Sequence, residues 1–155
     1  MYSKILVAVD GSDTSLHALK HAIELARKLS ASLRMIHVLD MSWLPIGPEV
    51  AIDTRALSAA RRGVGEKVIA AARDTAQQAG FEAEAGLIET ETPIQQVAEV
   101  IAREASRWDA DLVVMGTHGR RGFQHLMLGS VAERMARLSS VPVLLIPLPK
   151  QASSA

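Results

Sequence analysis

The residues best suited to bind an anion lie between positions 116 and 130, in a run that is rich in glycine and basic side chains. Its four glycines are Gly116, Gly119, Gly122 and Gly129. Glycine lets the backbone adopt positive φ angles or approach a ligand closely, so that successive N–H groups can turn toward one anion. Its basic residues are His118, Arg120, Arg121 and His125, and it has no acid, although the whole chain has zero net charge. This run therefore predicts a phosphate site.

A serine and an aspartate beside predicted secondary structure suit the same site. Ser130 directly follows Gly129 where a helix is expected to begin, and the positive end of that helix dipole favours an anion. Ser130 also precedes Glu133 by three residues, the spacing of a capping box, so a structural role is expected beside any ligand contact. Asp10 follows the first predicted strand, where it either faces the ligand or only caps the next helix and braces the turn.

Five short apolar runs predict the strands that position these residues. They are Ile5–Val9, Leu33–Leu39, Phe81–Ile88, Leu112–Met115 and Val143–Ile146. Several are rich in Val and Ile, which is typical of strands buried on both faces. Helical spacing lies between them, so the order βαβαβαβαβ predicts an α/β three-layer sandwich, a parallel sheet with helices on both faces. Ligands of such sheets bind beyond the carboxyl ends of the strands, where the strand order reverses.

Four helices are predicted from the apolar spacing, the first capped by Ser12 or Asp13. A capping box of Thr92 with Gln95 predicts the start of the third. The predicted inward residues are Leu16, Leu19, Ile23, Ala26 and Leu29 in the first helix, Leu57, Ala60, Val64, Val68 and Ala71 in the second, Ile94, Val97 and Ile101 in the third, and Val131, Met135 and Leu138 in the fourth.

The connection between Asp40 and Asp53 is longer than the ~2 to 6 residues usual in α/β units. A loop of this length can act as a lid over a ligand. In the alternative interpretation, Trp43 within it packs over helix ends as a hydrophobic plug.

Length and composition limit the remaining possibilities. The chain has 155 residues, which predicts one domain over residues 1–149 and a frayed tail over residues 150–155. It contains no cysteine, and its apolar runs are too short for a signal peptide or a membrane span, so a cytoplasmic protein without membrane contact is expected. The zero net charge argues against nucleic acid as a partner.

The familiar phosphate motifs are missing, since the chain has neither GxxxxGK[ST] nor GxGxxG after its first strand. Instead, the pattern Gly116-x2-Gly119-x9-Gly129-Ser130 resembles the nucleotide-binding signature of the universal stress protein family, in its ATP-binding branch. The first strand with its ILVAVDGS sequence, the stretch ADLVVMGTHG and the closing VPVLLIP also resemble that family. The resemblance covers about residues 3 to 147.

The resemblance implies a sheet order of 3-2-1-4-5 and a bound ATP, ADP or AMP with Mg²⁺ or Mn²⁺. In ATP-binding relatives the residue matching Asp10 lies near the phosphates or their metal, and the residue matching Val38 lines the adenine pocket. Ala8, which stands where some of these relatives carry proline, is placed in the same pocket, and His118 in the phosphate site. The residues that would surround the ribose and phosphates are Met115, Gly116, Gly119, Gly129, Ser130 and Val131.

The resemblance also implies a homodimer through the fifth strand. The residues of that strand are Val143, Leu144, Leu145 and Ile146. An uncovered apolar edge at the end of a sheet tends to aggregate unless a partner pairs with it, and the prolines beside this strand suit an edge position.

These features favour an ATP-binding regulatory or stress-response protein. Phosphoryl transfer requires groups that stabilise the moving phosphoryl group and orient a nucleophile, and only Asp10 and the backbone loop can be assigned here. His118 has no identifiable partner for a general-base role. We therefore expect little or no turnover. The alternative is a nucleotide hydrolase or adenylating enzyme of the related ATP pyrophosphatase-like fold, although Asp10 would repel a pyrophosphate group.

Overall fold

The computed structural model describes residues 1–42, 53–118 and 128–149. Strands and helices alternate along them: β1 Lys4–Ala8, α1 Asp13–Leu29, β2 Ser32–Leu39, α2 Thr54–Gln78, β3 Glu84–Glu89, α3 Val97–Arg107, β4 Leu112–Gly116, α4 Ser130–Leu138 and β5 Val143–Ile146. The strands form one parallel sheet in the order β3-β2-β1-β4-β5. The predicted α/β class and strand order are confirmed.

The sheet separates two apolar cores because successive residues of a strand face opposite sides. Ile5 and Val7 of β1 belong to the core that contains the buried residues of α1 and α2. Leu6 belongs to the other core, with the buried residues of α3 and α4. Every residue of β4 is buried, as expected for a strand that is covered on both faces.

The buried face of α1 differs from the predicted one. Leu16 and Leu29 are 39% and 41% exposed, so the prediction that they face the core is wrong. Three small residues, Ala18, Ala22 and Ala26, lie fully buried on that face instead. Because alanine occupies little volume, this packing brings the helix backbone close to the sheet. The predicted cap is confirmed, since the Ser12 hydroxyl accepts a hydrogen bond from the Ser15 N–H.

The face of α2 is also displaced from its predicted position. Val64 is 48% exposed, whereas its neighbour Gly65 is buried. A Cβ atom at Gly65 would lie 3.1 Å from Leu87 Cδ1, so the absent side chain is what allows α2 to approach the sheet. The apolar pattern predicted that Val64 faces the sheet, because valine is apolar. Close packing places Gly65 there instead.

The third helix begins later than predicted. Thr92 and Gln95 bond to each other across a turn, in which the Thr92 hydroxyl accepts from the Gln95 N–H at 3.2 Å. The capping box that opens α3 consists of Gln96 and Glu99. The predicted start of this helix directly after Thr92 is therefore wrong, and Ile94, predicted to face the core, is 87% exposed.

Within the described ranges, no helix has both the length and the apolar character that crossing a bilayer requires. The single domain over residues 1–149 stays a prediction. The predicted lid with Trp43 and the tail at residues 150–155 lie outside the described residues.

Candidate functional site

The strand order reverses between β1 and β4. From β1 the chain first adds β2 and β3 on one side of the sheet, and then crosses to add β4 and β5 on the other side. Open α/β sheets bind ligands beyond the carboxyl ends of their strands at such a point. Asp10 follows β1 at this edge, Asp40 follows β2, and Thr117 follows β4. The predicted site residues of the described ranges can therefore be located around one edge of the sheet.

Four of the predicted apolar residues lie together. Ala8, Val38, Met115 and Val131 belong to the same core on the α3 and α4 face of the sheet. Val38 and Met115 are buried, whereas Ala8 and Val131 are only partly buried. The cluster thus presents an apolar surface close to the edge where the strand order reverses.

Asp10 braces the turn between β1 and α1. One of its carboxylate oxygens, Oδ1, accepts a hydrogen bond from the Ser12 N–H at 2.9 Å, and Gly11 between them has a φ of 84°. The Asp10 N–H donates to the Ser15 hydroxyl at 3.2 Å. The structural role considered for Asp10 is therefore present.

Gly116 is required by the packing of the fold. A Cβ atom at this position would lie 2.6 Å from Thr14 Cγ2 and 3.2 Å from the Thr14 carbonyl carbon. The last residue of β4 thus lies directly against the first turn of α1. The sequence pattern assigned Gly116 to a ligand, but close packing against Thr14 already requires a residue without a side chain at this position.

Thr117 connects three elements, and the sequence reasoning missed it. Its N–H donates to the carbonyl of Ile146 in β5 at 3.1 Å, and its own carbonyl accepts from the Gly129 N–H at 2.7 Å. Its hydroxyl bonds His118 Nδ1 at 2.9 Å. Thr117 therefore positions the start of α4 relative to β4 and β5. The only sequence signal is a hydroxyl residue directly after a buried strand.

His118 is partly buried beside Thr117. Its second ring nitrogen, Nε2, is buried and has no hydrogen-bond partner within the described part of the chain. No carboxylate orients this ring among those residues, so the structure adds no support for a general-base role. Gly119, Arg120, Arg121, Gly122 and His125 lie outside the described residues.

The start of α4 differs from the predicted capping box. Gly129 is the N-cap, and Ser130 is the first helical residue, exposed and without a capping hydrogen bond. Glu133 does not reach back to the cap, because its carboxylate pairs with Arg137 at 3.0 Å. The capping box of Ser130 with Glu133 is therefore wrong. Among the described residues, no side chain caps this terminus, although the first turn of a helix has N–H groups that need partners.

An open cleft of about 910 Å³ adjoins this helix start. Asp40 contributes to one side of it, the segment that opens α3 to another, and Ser130, Val131 and Arg134 to the α4 side. Among the described residues, no group of three or more His, Asp or Glu side chains is arranged to hold a metal ion by itself. A metal here would need oxygens of a ligand or of water.

Comparison with family-wide sequence profiles matches residues 1–147 to the Universal stress protein family. The chain is 33% identical over 151 residues to a universal stress protein of Methanocaldococcus jannaschii, a match that covers 97% of this chain and 85% of that protein. The chain belongs to the universal stress protein family.

Solved structures agree with this assignment. A universal stress protein family member from Burkholderia pseudomallei superposes with a TM-score of 0.74 at 35% identity, covering 94% of this chain and 96% of that chain. A universal stress protein in complex with cAMP superposes with a TM-score of 0.68 at 26% identity, covering 94% and 97%. The chain therefore shares the fold of proteins of this family, one of which has been solved with a cyclic nucleotide.

Proposed function

We propose that this chain is a stress-response or regulatory protein that binds ATP where the strand order reverses between β1 and β4. One observation carries the proposal: a partly open apolar cluster adjoins a helix start that no side chain of the described residues caps. An adenine nucleotide has the same two parts, an apolar ring system and an anionic phosphate chain. The site therefore complements both halves of one ligand.

The apolar half would hold the adenine ring. Val38 and Met115 supply the buried floor of the cluster, and Ala8 and Val131 its accessible rim. Pockets for small ligands combine such apolar walls with a few polar groups that set orientation. The universal stress protein solved with cAMP supports an adenine nucleotide as the ligand class.

The polar half would hold the phosphates. Helix N-termini bind anions because their N–H groups and dipole favour negative charge. Gly129 at the N-cap has no side chain to cap the start of α4, and Ser130 adds an exposed hydroxyl. Gly119 belongs to the same proposed site through its place in the signature.

The nucleotide would bind together with Mg²⁺ or Mn²⁺. Mg²⁺ is usually held by one or two carboxylates together with substrate phosphates and water. Asp10 supplies one carboxylate at this edge of the sheet, so the residues present fit such an ion. The metal would neutralise phosphate charge next to that carboxylate.

We expect ATP turnover well below the ~1 s⁻¹ of slow working enzymes. The described residues that line the cleft include no lysine, and His118 forms no hydrogen bond among the described residues other than the one to Thr117, so no oriented base is found. If the protein hydrolysed ATP faster than this and Asp10→Ala abolished the activity, the alternative of a nucleotide hydrolase or adenylating enzyme would replace the binding function.

The proposal includes a homodimer through β5. This strand, with Val143, Leu144, Leu145 and Ile146, lies at the end of the sheet and pairs with β4 on one side. Leu144 is 39% exposed there. Light scattering should give twice the chain mass, and Leu144→Lys should lower it toward the monomer. Leu16→Lys is the matched control, because Leu16 on α1 is equally exposed and the mass should not change.

Two measurements test nucleotide binding directly. Purified protein is denatured, and the released small molecules are separated by chromatography to show whether an adenine nucleotide is carried along. Calorimetry then measures ATP binding with and without Mg²⁺ or Mn²⁺. No heat and no thermal stabilisation at millimolar ATP would remove the proposal.

A further inference from the structure

Two arginines line the α4 side of the cleft, and their surroundings differ. Arg137 pairs with Glu133 at 3.0 Å, so its charge is compensated within the helix. Arg134 is exposed and has no ion pair or hydrogen bond within the described ranges. Of the cationic side chains on this cleft in the described part of the chain, Arg134 is thus the one without a compensating acid.

Arg134 is also placed to act together with the helix start. It follows Ser130 by four residues, which puts both on one face of α4, about 6 Å apart along the helix axis. Side chains in a helix lean toward its N-terminus, so a residue covers the turn that precedes its own Cα. The Arg134 side chain is therefore biased toward the turn whose N–H groups no side chain caps.

The acids near the cleft do not remove this positive charge. Glu133 pairs with Arg137, and Asp40, on another side of the cleft, forms no ion pair with Arg134. Arginine suits phosphate because its planar guanidinium can donate two parallel hydrogen bonds. The cleft thus combines a helix start that no described side chain caps with one guanidinium that forms no ion pair among the described residues.

We infer that Arg134 binds the phosphates beyond the first one, so that the site prefers nucleoside di- and triphosphates to monophosphates. This inference rests on the proposed function and adds the recognition of phosphate number to it. The first phosphate lies on the N–H groups of the first turn of α4. A longer phosphate chain continues toward Arg134 and gains a charge-assisted contact that AMP cannot reach.

Calorimetry with AMP, ADP and ATP on matched variants tests this inference. Arg134→Gln should weaken ATP binding about tenfold and AMP binding less than about threefold, because one charge-assisted contact is lost. Arg137→Gln removes the same charge one turn further on and should change ATP binding less than about threefold. Arg134→Lys keeps the charge and should retain part of the ATP preference. Urea unfolding midpoints confirm that all variants are folded.

The outcomes separate this inference from the function that it extends. If wild-type protein binds nucleotides but Arg134→Gln weakens AMP and ATP equally, or not at all, Arg134 does not recognise phosphate number. An equal loss of ATP affinity in Arg137→Gln would also overturn the inference, because general surface charge would then explain it. Failure of the wild-type protein to bind any of the three nucleotides would overturn the proposed function itself.

Discussion

The amino and carboxyl edges of the sheet differ in how far their polar groups find hydrogen-bond partners. At the amino edge the Asp111 carboxylate accepts hydrogen bonds from the Ser3 N–H at 2.8 Å, the Ser3 hydroxyl at 2.9 Å and the Lys4 N–H at 3.1 Å. The Lys4 ammonium donates to the Trp108 carbonyl at 3.0 Å and lies 5.3 Å from the centre of the Trp108 ring. Polar groups at that edge thus satisfy one another.

The carboxyl edge is less complete in the described part of the chain. Within that part, the start of α4 has no side-chain cap, His118 Nε2 is buried without a partner, and Arg134 forms no ion pair. Buried or helix-terminal polar groups are normally satisfied, so these unsatisfied groups support the ligand site proposed for this edge. The comparison separates residues that hold the fold from residues available for binding.

The largest expected effect on stability tests whether Gly116 is required for packing. Gly116→Ala should lower the free energy of unfolding by about 1 to 3 kcal/mol, because its Cβ would overlap Thr14. Urea denaturation measures the loss. The matched control is Gly63→Ala, where a Cβ meets nothing within 4 Å and the helix should gain about 0.5 to 1 kcal/mol. Equal stability of both variants would contradict the close packing of β4 on α1.

Gly129→Asp would supply a side-chain cap for α4 at the carboxyl edge of the sheet. Gly129 has φ −60° and ψ 154°, an extended conformation that any residue can adopt, so aspartate there should cap α4. We expect a gain in unfolding free energy of a few tenths of a kcal/mol. ATP affinity should drop more than about tenfold, because the new carboxylate occupies the N–H groups and repels phosphate. A stabilised variant that binds ATP normally would place the phosphates elsewhere.

The sequence predicted the strands and their order because central strands buried on both faces leave continuous apolar runs, as in β1 and β4. Family resemblance assigned Ala8 and Val38 to the adenine pocket and Met115 and Val131 to the surroundings of the ribose and phosphates, and the structure brings these four residues into one apolar cluster. Glycine misled the reasoning twice. Apolar patterns favour Val64 over Gly65, although close packing buries the glycine, and the signature assigns Gly116 to a ligand although Thr14 already requires it.

Asp111, at the amino edge of the sheet, makes the folding stability depend on pH. Burial of this carboxyl acts to raise its pKa, but the hydrogen bonds from Ser3 and Lys4 outweigh burial and hold the pKa below its usual value. A lowered folded-state pKa adds stability above the unfolded-state pKa, and this stability is lost as the pH falls through the folded-state pKa. Because water screens these contacts, Asp111→Asn should lower stability at pH 7 by less than about 1 kcal/mol and flatten the dependence below pH 4.

The control for Asp111 is nucleotide binding, which should be the same in Asp111→Asn as in the parent, since the two edges are independent. Unfolding midpoints from pH 2 to pH 7 measure the first effect and calorimetry the second. A variant that keeps the full acid sensitivity of the parent would show that other carboxyls control it.

The smallest expected effect on stability is at Ser130, which the sequence pattern treated as a cap. Because Ser130 is the first helical residue, exposed and without a capping bond, Ser130→Ala should change the free energy of unfolding by less than about 0.5 kcal/mol. If its hydroxyl also donates to a phosphate oxygen, ATP affinity should still fall by roughly 1 kcal/mol, about fivefold. Ser130→Thr keeps the hydroxyl and should retain the affinity of the parent. A loss of stability of 1 kcal/mol or more, with unchanged ATP affinity, would show that Ser130 caps the helix and does not bind the nucleotide.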